Sequence, residues 1–290
     1  MRVLITGSNG QLGSEIKELA ANYKKLDFVF KDLPELDICD FETLQAFIID
    51  HNINAVINCA GYTAVDKAEE ESIIATKVNY EGVLNIVNAL AKVNGKLIHI
   101  STDYVFDGDH FLPYQESDEV NPIGVYGNTK RRGELAVINS AIDGLVIRTS
   151  WLYSAYGNNF VKTMLRFGSE RNELGVIFDQ VGTPTSATDL AKTCLEILSS
   201  KENMNISRKG KVYHYSNEGV ASWYDFAIAI MTLGEVNCHI KPIETKDYPT
   251  PAKRPHYSVL NKSKIKTDFE IDIPYWRDSL AICISKLNKI

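Results

Sequence analysis

Three side chains in this sequence are of types that can move a proton to or from a carbonyl oxygen: Thr102, Tyr126 and Lys130. Tyr126 and Lys130 are four residues apart, so on a helix both side chains rise from the same face. A free phenol titrates near ~10, and a neighbouring ammonium stabilises its ionised form, which lowers the pKa toward the working pH. The hydroxyl of Thr102 could hold a carbonyl oxygen beside that phenol. A lone tyrosine and lysine at this spacing are also common on solvated helix faces, so the interpretation depends on the rest of the chain.

A glycine pattern near the start of the chain supports a redox site. The run Gly7-Ser8-Asn9-Gly10-Gln11-Leu12-Gly13 follows the strand-like segment Arg2–Thr6 and opens a helical run of apolar residues. Gly7 can make a tight turn, Gly10 can let the backbone approach a pyrophosphate, and Gly13 can let helix and strand pack closely. The alternative is a flexible loop, but the position at the first strand-to-helix turn favours a dinucleotide site. Together, the two patterns predict a nicotinamide-dependent oxidoreductase.

Composition sets the outer bounds on the kind of protein. The 290 residues allow one large domain or two modest ones, and a hydrophobic content of 44% is ample for a buried core. No apolar stretch approaches the ~20 residues of a membrane helix, and Met1 leads directly into a predicted core strand, so we expect no signal peptide and a cytoplasmic protein. The net charge of −6 argues against a nucleic-acid partner. Neither the five scattered cysteines nor the six histidines show the spacing of a metal site.

Apolar runs of strand length alternate with helical patterns, which is typical of an α/β fold with a doubly wound parallel sheet of the Rossmann type. We therefore predict an NAD(P)-binding Rossmann domain over residues 1–150 and a smaller substrate-binding portion, with some sheet-extending elements, over residues 151–290. After the first strand, the predicted strands are Phe28–Phe30, Ala55–Asn58, Lys96–Ser101, Leu145–Thr149, Val176–Phe178 and Val212–Ser216. The predicted helices are Phe41–Asp50, Ser72–Val93, Asn128–Asn139, Asp189–Leu198 and Trp223–Leu233.

Polar and aromatic residues cluster where the predicted strands end. Asn58–Tyr62 follow the third strand, Ser101–Tyr104 the fourth and Arg148–Trp151 the fifth. Because ligands of open parallel sheets bind outside the carboxyl ends of the strands, we expect these segments to converge on one cleft. The second strand is followed by Lys31 and Asp32, which point to different cofactors. An acidic side chain there can bind the 2′-hydroxyl of NAD and a cation can accommodate the 2′-phosphate of NADP, so the choice between NADH and NADPH stays open.

Seven motifs, in order along nearly the whole chain, make it similar to a known group of enzymes. They are Thr6–Gly13, Tyr62–Glu69, Ser101–Gly108, Tyr126–Lys130, Arg148–Tyr153, Asp179–Thr185 and Arg254–Ser258. On these motifs the chain resembles the extended short-chain dehydrogenases/reductases and, within them, the dTDP-4-dehydrorhamnose reductase family. The glycine and tyrosine–lysine motifs indicate only the superfamily, whereas the second and sixth motifs point to the reductases.

The resemblance implies a reaction. It is the NADPH- or NADH-dependent reduction of the 4-keto group of dTDP-4-dehydro-L-rhamnose, which gives dTDP-L-rhamnose for cell-surface polysaccharide. By similarity, Tyr126 delivers a proton to the developing alkoxide, Lys130 lowers the pKa of Tyr126 and binds the nicotinamide ribose, and Thr102 orients the ketone. Proton delivery of this kind is typically worth ~100- to ~10,000-fold in rate.

The resemblance also implies two sets of binding residues. Trp151 belongs to one of them, although a tryptophan that follows a strand is as often a core residue as the wall of a ligand site. The implied cofactor-binding residues are Gly7, Asn9, Gly10, Gln11, Leu12, Asp37, Ile38, Ala60, Gly61, Tyr62, Tyr126 and Lys130. The implied substrate-binding residues are Thr102, Asp103, Tyr104 and Trp151.

Two other functions remain open. The first is that of a sibling nucleotide-sugar enzyme, an epimerase or a 4,6-dehydratase. Dehydratases of this superfamily carry an acidic pair after the threonine, and Tyr104 stands here in place of the second acid, which weakens that alternative. The second is a non-catalytic subunit, because a relative of the reductase is the regulatory partner of methionine adenosyltransferase. The intact Thr102, Tyr126 and Lys130 count against it.

The resemblance bears on metals and partners as well. Some members of the family are dimers joined through magnesium by carboxylates on a helix and in the C-terminal tail. This sequence departs from that pattern, because Thr188 stands where such a carboxylate would be sought and no Asp or Glu follows Asp278. We therefore predict no metal. The expected partner is the nucleotide-sugar substrate, with no nucleic acid and no membrane, and a homodimer is left open.

Overall fold

A parallel sheet forms the centre of the structure, a computed structural model that describes residues 1–199 and 209–289. In chain order the strands are β1 (Arg2–Thr6), β2 (Asp27–Lys31), β3 (Ala55–Asn58), β4 (Lys96–Thr102), β5 (Asp143–Thr149), β6 (Leu152–Tyr153), β7 (Glu173–Ile177), β8 (Val181–Gly182), β9 (Thr185–Ser186), β10 (Lys211–His214), β11 (Ala221–Ser222) and β12 (His239–Ile243). The helices are α1 (Gln11–Leu19), α2 (Phe41–Asp50), α3 (Val65–Ala68), α4 (Ser72–Thr76), α5 (Gly82–Ala91), α6 (Val125–Ile138), α7 (Phe160–Glu170), α8 (Ala187–Ser199), α9 (Trp223–Leu233), α10 (Ser263–Phe269) and α11 (Trp276–Leu287).

The order of the strands is that of a doubly wound fold. Across the sheet the strands run β2, β1, β3, β4, β5 and β10, and each pair of neighbours is parallel. The chain first moves outward from β1 to β2 and then returns to place β3 on the other side of β1. This reversal creates the crevice in which dinucleotides bind in such sheets. The predicted Rossmann-type sheet is confirmed.

The central strands are apolar on both faces because helices cover both sides of the sheet. In β1, Val3 and Ile5 pack with α1 and α8, whereas Leu4 packs with α2 and α5 on the opposite face. All three side chains are fully buried. The alternation follows from the geometry of a strand, in which successive side chains point to opposite faces.

A second core lies in the C-terminal part of the chain. Helices α7, α9 and α11 pack there around β7 and β12, which pair in parallel. Phe226 of α9 is fully buried at the centre of this cluster. The predicted strand Val176–Phe178 corresponds to β7, which begins three residues earlier at Glu173, and the predicted strand Val212–Ser216 corresponds to β10. Two further short pairs are formed by β8 with β11 and by β6 with β9.

Helix α6 begins earlier than the sequence predicts. The predicted start at Asn128 is wrong, since the helix runs from Val125, after Gly124 has taken an extended conformation as its N-cap. Tyr126 therefore lies in the first turn and shares one helix with Lys130, as the spacing argument requires. The predicted helix Ser72–Val93 is α4 and α5 joined by a π-helical turn over Lys77–Glu81. Within residues 1–199 and 209–289, no helix is both long and apolar enough to cross a membrane.

Candidate active site

The carboxyl ends of the central strands meet at one edge of the sheet. Thr102 ends β4 and is paired in register with Thr149, the last residue of β5. Thr6, the last residue of β1, is paired with Asn58 at the end of β3, and its hydroxyl donates to the side-chain oxygen of Asn58 at 2.7 Å. The ends of β1, β3, β4 and β5 therefore lie at the same edge of the sheet, as predicted, whereas a single cleft shared by the segments after β3, β4 and β5 stays a prediction.

Gly127 lets helix α6 approach the turn that follows β4. A Cβ atom at this position would lie 2.1 Å from the carbonyl oxygen of Tyr104, so any larger residue would push the helix away. The close approach brings the rings of Tyr104 and Tyr126 edge to face, with 5.6 Å between their centroids. It also brings the phenol of Tyr126 to the hydroxyl of Thr102. The structure thus brings two of the three predicted catalytic residues together.

The phenol of Tyr126 is protonated at neutral pH. Burial raises the pKa of Tyr126 to about 12, while the hydroxyl of Thr102 lowers it and the carboxylate of Asp103 raises it. The sequence led us to expect that Lys130 lowers this pKa. Burial has the largest effect on this phenol, so the net shift of its pKa is upward, and the lowering of that pKa by Lys130 stays a prediction.

Lys130 lies one turn further along α6 and faces the sheet. It is 5% exposed, and its Nζ donates a hydrogen bond to the carbonyl oxygen of Ile100 in β4 at 2.7 Å. A Cβ atom at Gly61 would lie 3.7 Å from this Nζ, so the lysine also borders the loop that follows β3. Burial lowers the pKa of Lys130 to about 8, because a charged ammonium is disfavoured away from water.

Asp103 is a buried carboxylic acid directly beside Thr102. The hydroxyl of Thr102 donates to its Oδ1 at 3.0 Å. Burial raises the pKa of Asp103 to about 6, against the lowering effect of the hydroxyls of Ser258 and Thr102. Among the described residues, its other oxygen, Oδ2, has no hydrogen-bond partner. The resemblance implied a contact of Asp103 with substrate, and that contact stays a prediction.

The glycine turn after β1 has the geometry that a dinucleotide needs. Gly7 has a φ of +62°, and a Cβ atom there would lie 2.6 Å from the backbone nitrogen of Ala60, so this turn requires glycine. Gly10 is the N-cap of α1 and has no side chain to cap the helix. The backbone N–H groups of the first helical turn are therefore available to an anion, and the helix dipole favours negative charge there. These features fit the phosphates of a nicotinamide cofactor.

Asp32 lies at the end of β2 and supports the same turn. Its Oδ2 accepts a hydrogen bond from the backbone N–H of Asn9 at 2.9 Å, and its Oδ1 accepts one from Leu33 at 2.8 Å. Lys31 points elsewhere and pairs with Glu35 at 2.8 Å. The acidic side chain is therefore the one held against the phosphate turn, next to the position that a cofactor ribose occupies in such folds.

Asp37 and Ile38, which the resemblance implies as cofactor-binding residues, lie before α2. Asp37 accepts a hydrogen bond from the backbone N–H of Cys39 at 2.8 Å. The side chain of Ile38 is buried, and a Cβ atom at Gly82 would lie 2.7 Å from it. The side chain of Ile38 thus packs on α5. The contact of these two residues with the cofactor stays a prediction.

Asn79 joins the loop after β3 to helix α6, and sequence reasoning missed it. Its Oδ1 accepts from the backbone N–H of Tyr62 at 2.9 Å, and its Nδ2 donates to the carbonyl oxygen of Tyr62 at 3.1 Å and to Thr129 Oγ1 at 3.2 Å. It is 1% exposed. The amide thus fixes the loop Ala60–Tyr62 beside the helix that carries Tyr126 and Lys130. No motif in the sequence signals this, because Asn79 lies in an otherwise ordinary helical pattern.

A cavity of about 660 Å³ opens beside Tyr104. Its lining includes the aromatic rings of Phe160 and Trp223 and the guanidinium groups of Arg171 and Arg254. The lining also includes Glu173, and a cavity of this size and composition suits an organic ligand. Trp223 was not predicted as a site residue.

Trp151 stacks on the ring of Trp223, with 3.7 Å between their centroids and an angle of 10° between their planes. It also packs on Gly182, where a Cβ atom would lie 2.9 Å from the indole. Trp223 therefore separates much of the Trp151 ring from the cavity. The predicted contact of Trp151 with substrate stays a prediction.

An ion pair closes one side of the cavity. Arg254 donates from Nη1 and Nη2 to the two carboxylate oxygens of Asp66, at 3.0 Å and 2.7 Å. Asp66 follows the loop after β3, whereas Arg254 belongs to the proline-rich loop near the C-terminus, so the pair joins two parts of the chain that are 188 residues apart. The sequence shows both residues in motifs but does not pair them.

The described residues contain no group of three or more His, Cys, Asp or Glu side chains that could hold a metal ion. The absence of a metal stays a prediction. His99 and His214 are fully buried, and burial holds the pKa of each well below its usual range. Both are therefore neutral core residues.

Comparison with known proteins places the chain among nucleotide-sugar reductases. Residues 1–289 match a family model described as RmlD substrate binding domain. A dTDP-4-dehydrorhamnose reductase from Aggregatibacter actinomycetemcomitans is 40% identical over 286 residues, which cover 96% of this chain and 97% of that protein.

Two solved structures are similar over nearly the whole chain. A dTDP-4-dehydrorhamnose reductase from Clostridium acetobutylicum has a TM-score of 0.92 and 41% identity, covering 99% of this chain and 100% of that one. The dTDP-4-dehydrorhamnose reductase from Bacillus anthracis, in complex with NADP, has a TM-score of 0.92 and 37% identity, covering 98% and 99%.

Proposed function

The chain belongs to the RmlD substrate binding domain family, and from this we propose that it is an NAD(P)H-dependent oxidoreductase that reduces the 4-keto group of dTDP-4-dehydro-L-rhamnose to dTDP-L-rhamnose. Several of its relatives bear the name of this reductase, and one of them was solved with NADP. The reaction belongs to the biosynthesis of dTDP-rhamnose for cell-surface polysaccharide.

One observation carries the proposal. The protonated phenol of Tyr126 lies beside the hydroxyl of Thr102. The ring of Tyr104, which packs edge to face on Tyr126, lines a cavity of about 660 Å³. An acid and a hydrogen-bonding hydroxyl at the carboxyl end of β4 suit the reduction of a ketone. The cavity suits the rest of a nucleotide sugar, because aromatic rings and guanidinium groups line it.

Thr102 and Tyr126 act on the oxygen of the ketone, and Lys130 acts on the cofactor and on Tyr126. When bound, the nicotinamide supplies the hydride. Tyr126 holds its proton at neutral pH, since its pKa is raised to about 12, so it is ready to act as the acid that the reduction requires. The hydroxyl of Thr102 orients the same oxygen. The ammonium of Lys130 holds the nicotinamide ribose and stabilises the phenolate that remains when Tyr126 has given its proton away.

The glycine turn and the loop after β3 would hold the cofactor. The glycine turn is the anchor, because the first-turn N–H groups of α1 suit the pyrophosphate. Either NADPH or NADH fits this proposal, since Asp32 is held at the turn while Lys31 is only one residue away. The residues that would hold the cofactor are Gly7, Asn9, Gly10, Gln11, Leu12, Asp37, Ile38, Ala60, Gly61, Tyr62, Tyr126 and Lys130.

The sugar lies over Tyr104 and the remainder of the nucleotide extends into the cavity. Asp103, Tyr104 and Trp151 remain the proposed contacts besides Thr102. The lining of the cavity supports adding Trp223, which offers a ring for stacking. Arg254 supplies positive charge at the same wall, although Asp66 neutralises it in the structure.

The remaining proposals concern organisation. We propose that residues 1–150 form the NAD(P)-binding domain and residues 151–290 the substrate-binding portion, with β10 and α8 added to the first unit. The nucleotide sugar is the proposed partner, with neither nucleic acid nor membrane. A homodimer without metal is compatible with these proposals, and we propose a cytoplasmic location.

A cofactor-oxidation assay tests the proposed function. NADPH and NADH are each mixed with the protein and a panel of 4-keto sugar nucleotides, and loss of the reduced-nicotinamide absorbance is followed. We expect turnover with dTDP-4-dehydro-L-rhamnose that disappears in Tyr126→Phe. Release of water from dTDP-glucose without net oxidation of cofactor would instead indicate a dehydratase. Cofactor binding without turnover of any keto sugar would favour a regulatory subunit.

A further inference from the structure

The carboxylate of Glu134 lies one helical turn beyond Lys130 on α6, and the side chain is fully buried. Residues four apart on a helix lie on the same face, so both side chains are turned toward the sheet. A carboxylate is rarely buried completely unless it is paired, because removing its charge from water is costly. The partners of Glu134 therefore indicate what this charge does.

Two arginines hold Glu134 in its charged form. Arg148 donates from Nε to Oε1 at 2.8 Å and from Nη2 to Oε2 at 2.9 Å, and Arg131 donates from Nη1 to Oε2 at 2.8 Å. Burial alone would raise the pKa of Glu134, but the hydrogen bonds and the charge of Arg148 hold it below its usual range. His214 of β10 faces Arg148 at 3.4 Å and is neutral, because burial keeps its pKa well below its usual range.

The same contacts tie α6 to neighbouring positions of the sheet. Lys130 donates to the carbonyl oxygen of Ile100 in β4. Arg148 lies in β5 and is paired in register with Ser101, the residue that follows Ile100. Lys130 and the ion pair of Glu134 and Arg148 thus contact neighbouring positions of two adjacent strands, β4 and β5.

Glu134 supplies the negative charge that counters the desolvation of Lys130. Burial lowers the pKa of Lys130, and Glu134, followed by Cys59 in the loop after β3, acts in the opposite direction. The thiol of Cys59 is itself kept protonated by burial, which raises its pKa well above its usual range. His99 faces Lys130 from β4 and is neutral for the same physical reason. Tyr126 on α6 is a neutral phenol at this pH.

We propose that Glu134 is a positioning residue that acts through Lys130. Its carboxylate keeps the ammonium of Lys130 charged, while the carbonyl oxygen of Ile100 holds that ammonium against β4. In the charged state Lys130 can bind a ribose and stabilise a phenolate. The step from this charge to turnover rests on the proposed function. The charge itself does not, because it can be measured without substrate or cofactor.

The experiment reads the charge of Lys130 directly. The full chain is produced with lysine labelled with carbon-13 at the ε-carbon, and the resonance that is lost in Lys130→Met is assigned to Lys130. In the unaltered protein this resonance should titrate with a midpoint of about 8. In Glu134→Gln the midpoint should fall by about 1 pH unit or more. The charged fraction at a pH equal to the original midpoint would then drop from roughly one half to about one tenth.

Arg131→Gln is the matched control. It removes one hydrogen bond to the same carboxylate but also removes a positive charge, so the midpoint of Lys130 should stay in place or rise. A general loosening of the helix would instead lower the midpoint in both variants, and that result would overturn the proposal. An unmoved midpoint in Glu134→Gln would overturn it as well.

A second variant covers the case in which Glu134→Gln does not fold. Glu134→Asp keeps the charge but draws it back by one methylene, so the midpoint of Lys130 should fall by a smaller amount in the same direction; no fall overturns the proposal. Turnover adds a separate readout. In Glu134→Gln the alkaline limb of the pH profile of kcat should move to lower pH together with the titration midpoint of the Lys130 resonance. If the titration midpoint falls and the alkaline limb of the kcat profile stays in place, the inference on Glu134 is supported and the proposed role of Lys130 in turnover fails.

Discussion

The hydroxyl of Thr102 donates a hydrogen bond to Oδ1 of Asp103 at 3.0 Å, so the residue that we propose to orient the ketone is tied to a buried carboxyl group. Burial raises the pKa of Asp103 to about 6. The charge of Asp103 in turn raises the pKa of Tyr126. One carboxyl group thus influences both the hydroxyl that orients the substrate and the phenol that gives the proton.

The first prediction concerns the cost of this buried charge. The pKa of Asp103 is raised from 3.8 to about 6 by folding, so the folded state binds more protons than the unfolded state between these values. Below pH 3.8 the carboxyl group is protonated in both states and costs the folded state nothing. Above about pH 6 it is charged in both states and destabilises the folded state, because the charge is buried there. Asp103→Asn should raise the free energy of unfolding at neutral pH by on the order of 2 kcal/mol.

Denaturant unfolding at neutral pH and near pH 4 checks this prediction. The gain in Asp103→Asn should be present at neutral pH and absent at the acidic pH, because the unaltered residue is already protonated there. An equal gain at both pH values would show that packing, and not charge, causes the change.

The second prediction concerns the proton donor. Tyr126→Phe keeps the ring that packs edge to face on Tyr104 but removes the transferable proton. The kcat for reduction should fall by ~100- to ~10,000-fold, whereas cofactor affinity should stay close to that of the unaltered protein. Steady-state kinetics and a fluorescence titration with NADPH measure the two quantities. Tyr80→Phe is a suitable control, because its ring lies beneath Arg132, 4.1 Å from the guanidinium, away from the proposed site.

The third prediction concerns the phosphate turn. Gly10 is the N-cap of α1, and a Cβ atom there would already lie 3.2 Å from the carbonyl oxygen of Gly7. Gly10→Val places a branched side chain over the first-turn N–H groups, so the affinity for NADPH and NADH should collapse. A titration on a variant that is shown to be folded by circular dichroism measures this. Unchanged affinity would mean that the cofactor phosphates bind elsewhere.

The fourth prediction separates two tryptophans. Trp223 lines the cavity, whereas Trp151 stacks on its ring at 3.7 Å between centroids. If the nucleotide sugar uses the cavity, Trp223→Leu should raise the KM for the sugar nucleotide about tenfold or more and change the KM for NADPH little. Trp151→Leu should have the smaller effect on KM and the larger effect on thermal stability. The reverse ranking of the two KM values would favour Trp151 as the direct contact.

Local patterns were enough to predict the sheet and the positions of the site residues along the chain. The glycine run after β1 and the spacing of Tyr126 and Lys130 depend only on neighbours in sequence, and the strand periodicity placed β1 to β5. The start of α6 was missed because Gly124 caps the helix without a side chain that marks the boundary. The predicted range therefore began after Tyr126, although the spacing argument placed Tyr126 and Lys130 on one helix.

The parts of the site that the sequence did not predict depend on tertiary contacts. Asp66 and Arg254 pair across 188 residues, and no spacing rule connects them. Trp223 reaches the cavity only because α9 packs beside β7 in the second core. The direction of the Tyr126 pKa likewise depends on how deeply the phenol is buried, which is a property of the packed molecule.

The last prediction concerns the charge of Lys130. Burial lowers the pKa of Lys130 to about 8, so kcat should fall as the pH rises through that value, because the ammonium loses its proton. Lys130→Arg replaces it with a group that stays protonated above pH ~12. The larger guanidinium fits the buried position less well, so turnover at neutral pH should fall about tenfold or more. The limb near pH 8 should nevertheless disappear.

The pH profile of kcat at saturating substrate and cofactor measures this effect. Lys264→Arg is a matched control, because burial also lowers the pKa of Lys264, while its Nζ donates to the carbonyl oxygen of Val212, outside the proposed site. Lys264→Arg should keep most of the turnover and an alkaline limb of the kcat profile at a pH of about 8. A limb that persists in Lys130→Arg would assign the titration to another group and would leave Lys130 with at most a part in binding the cofactor.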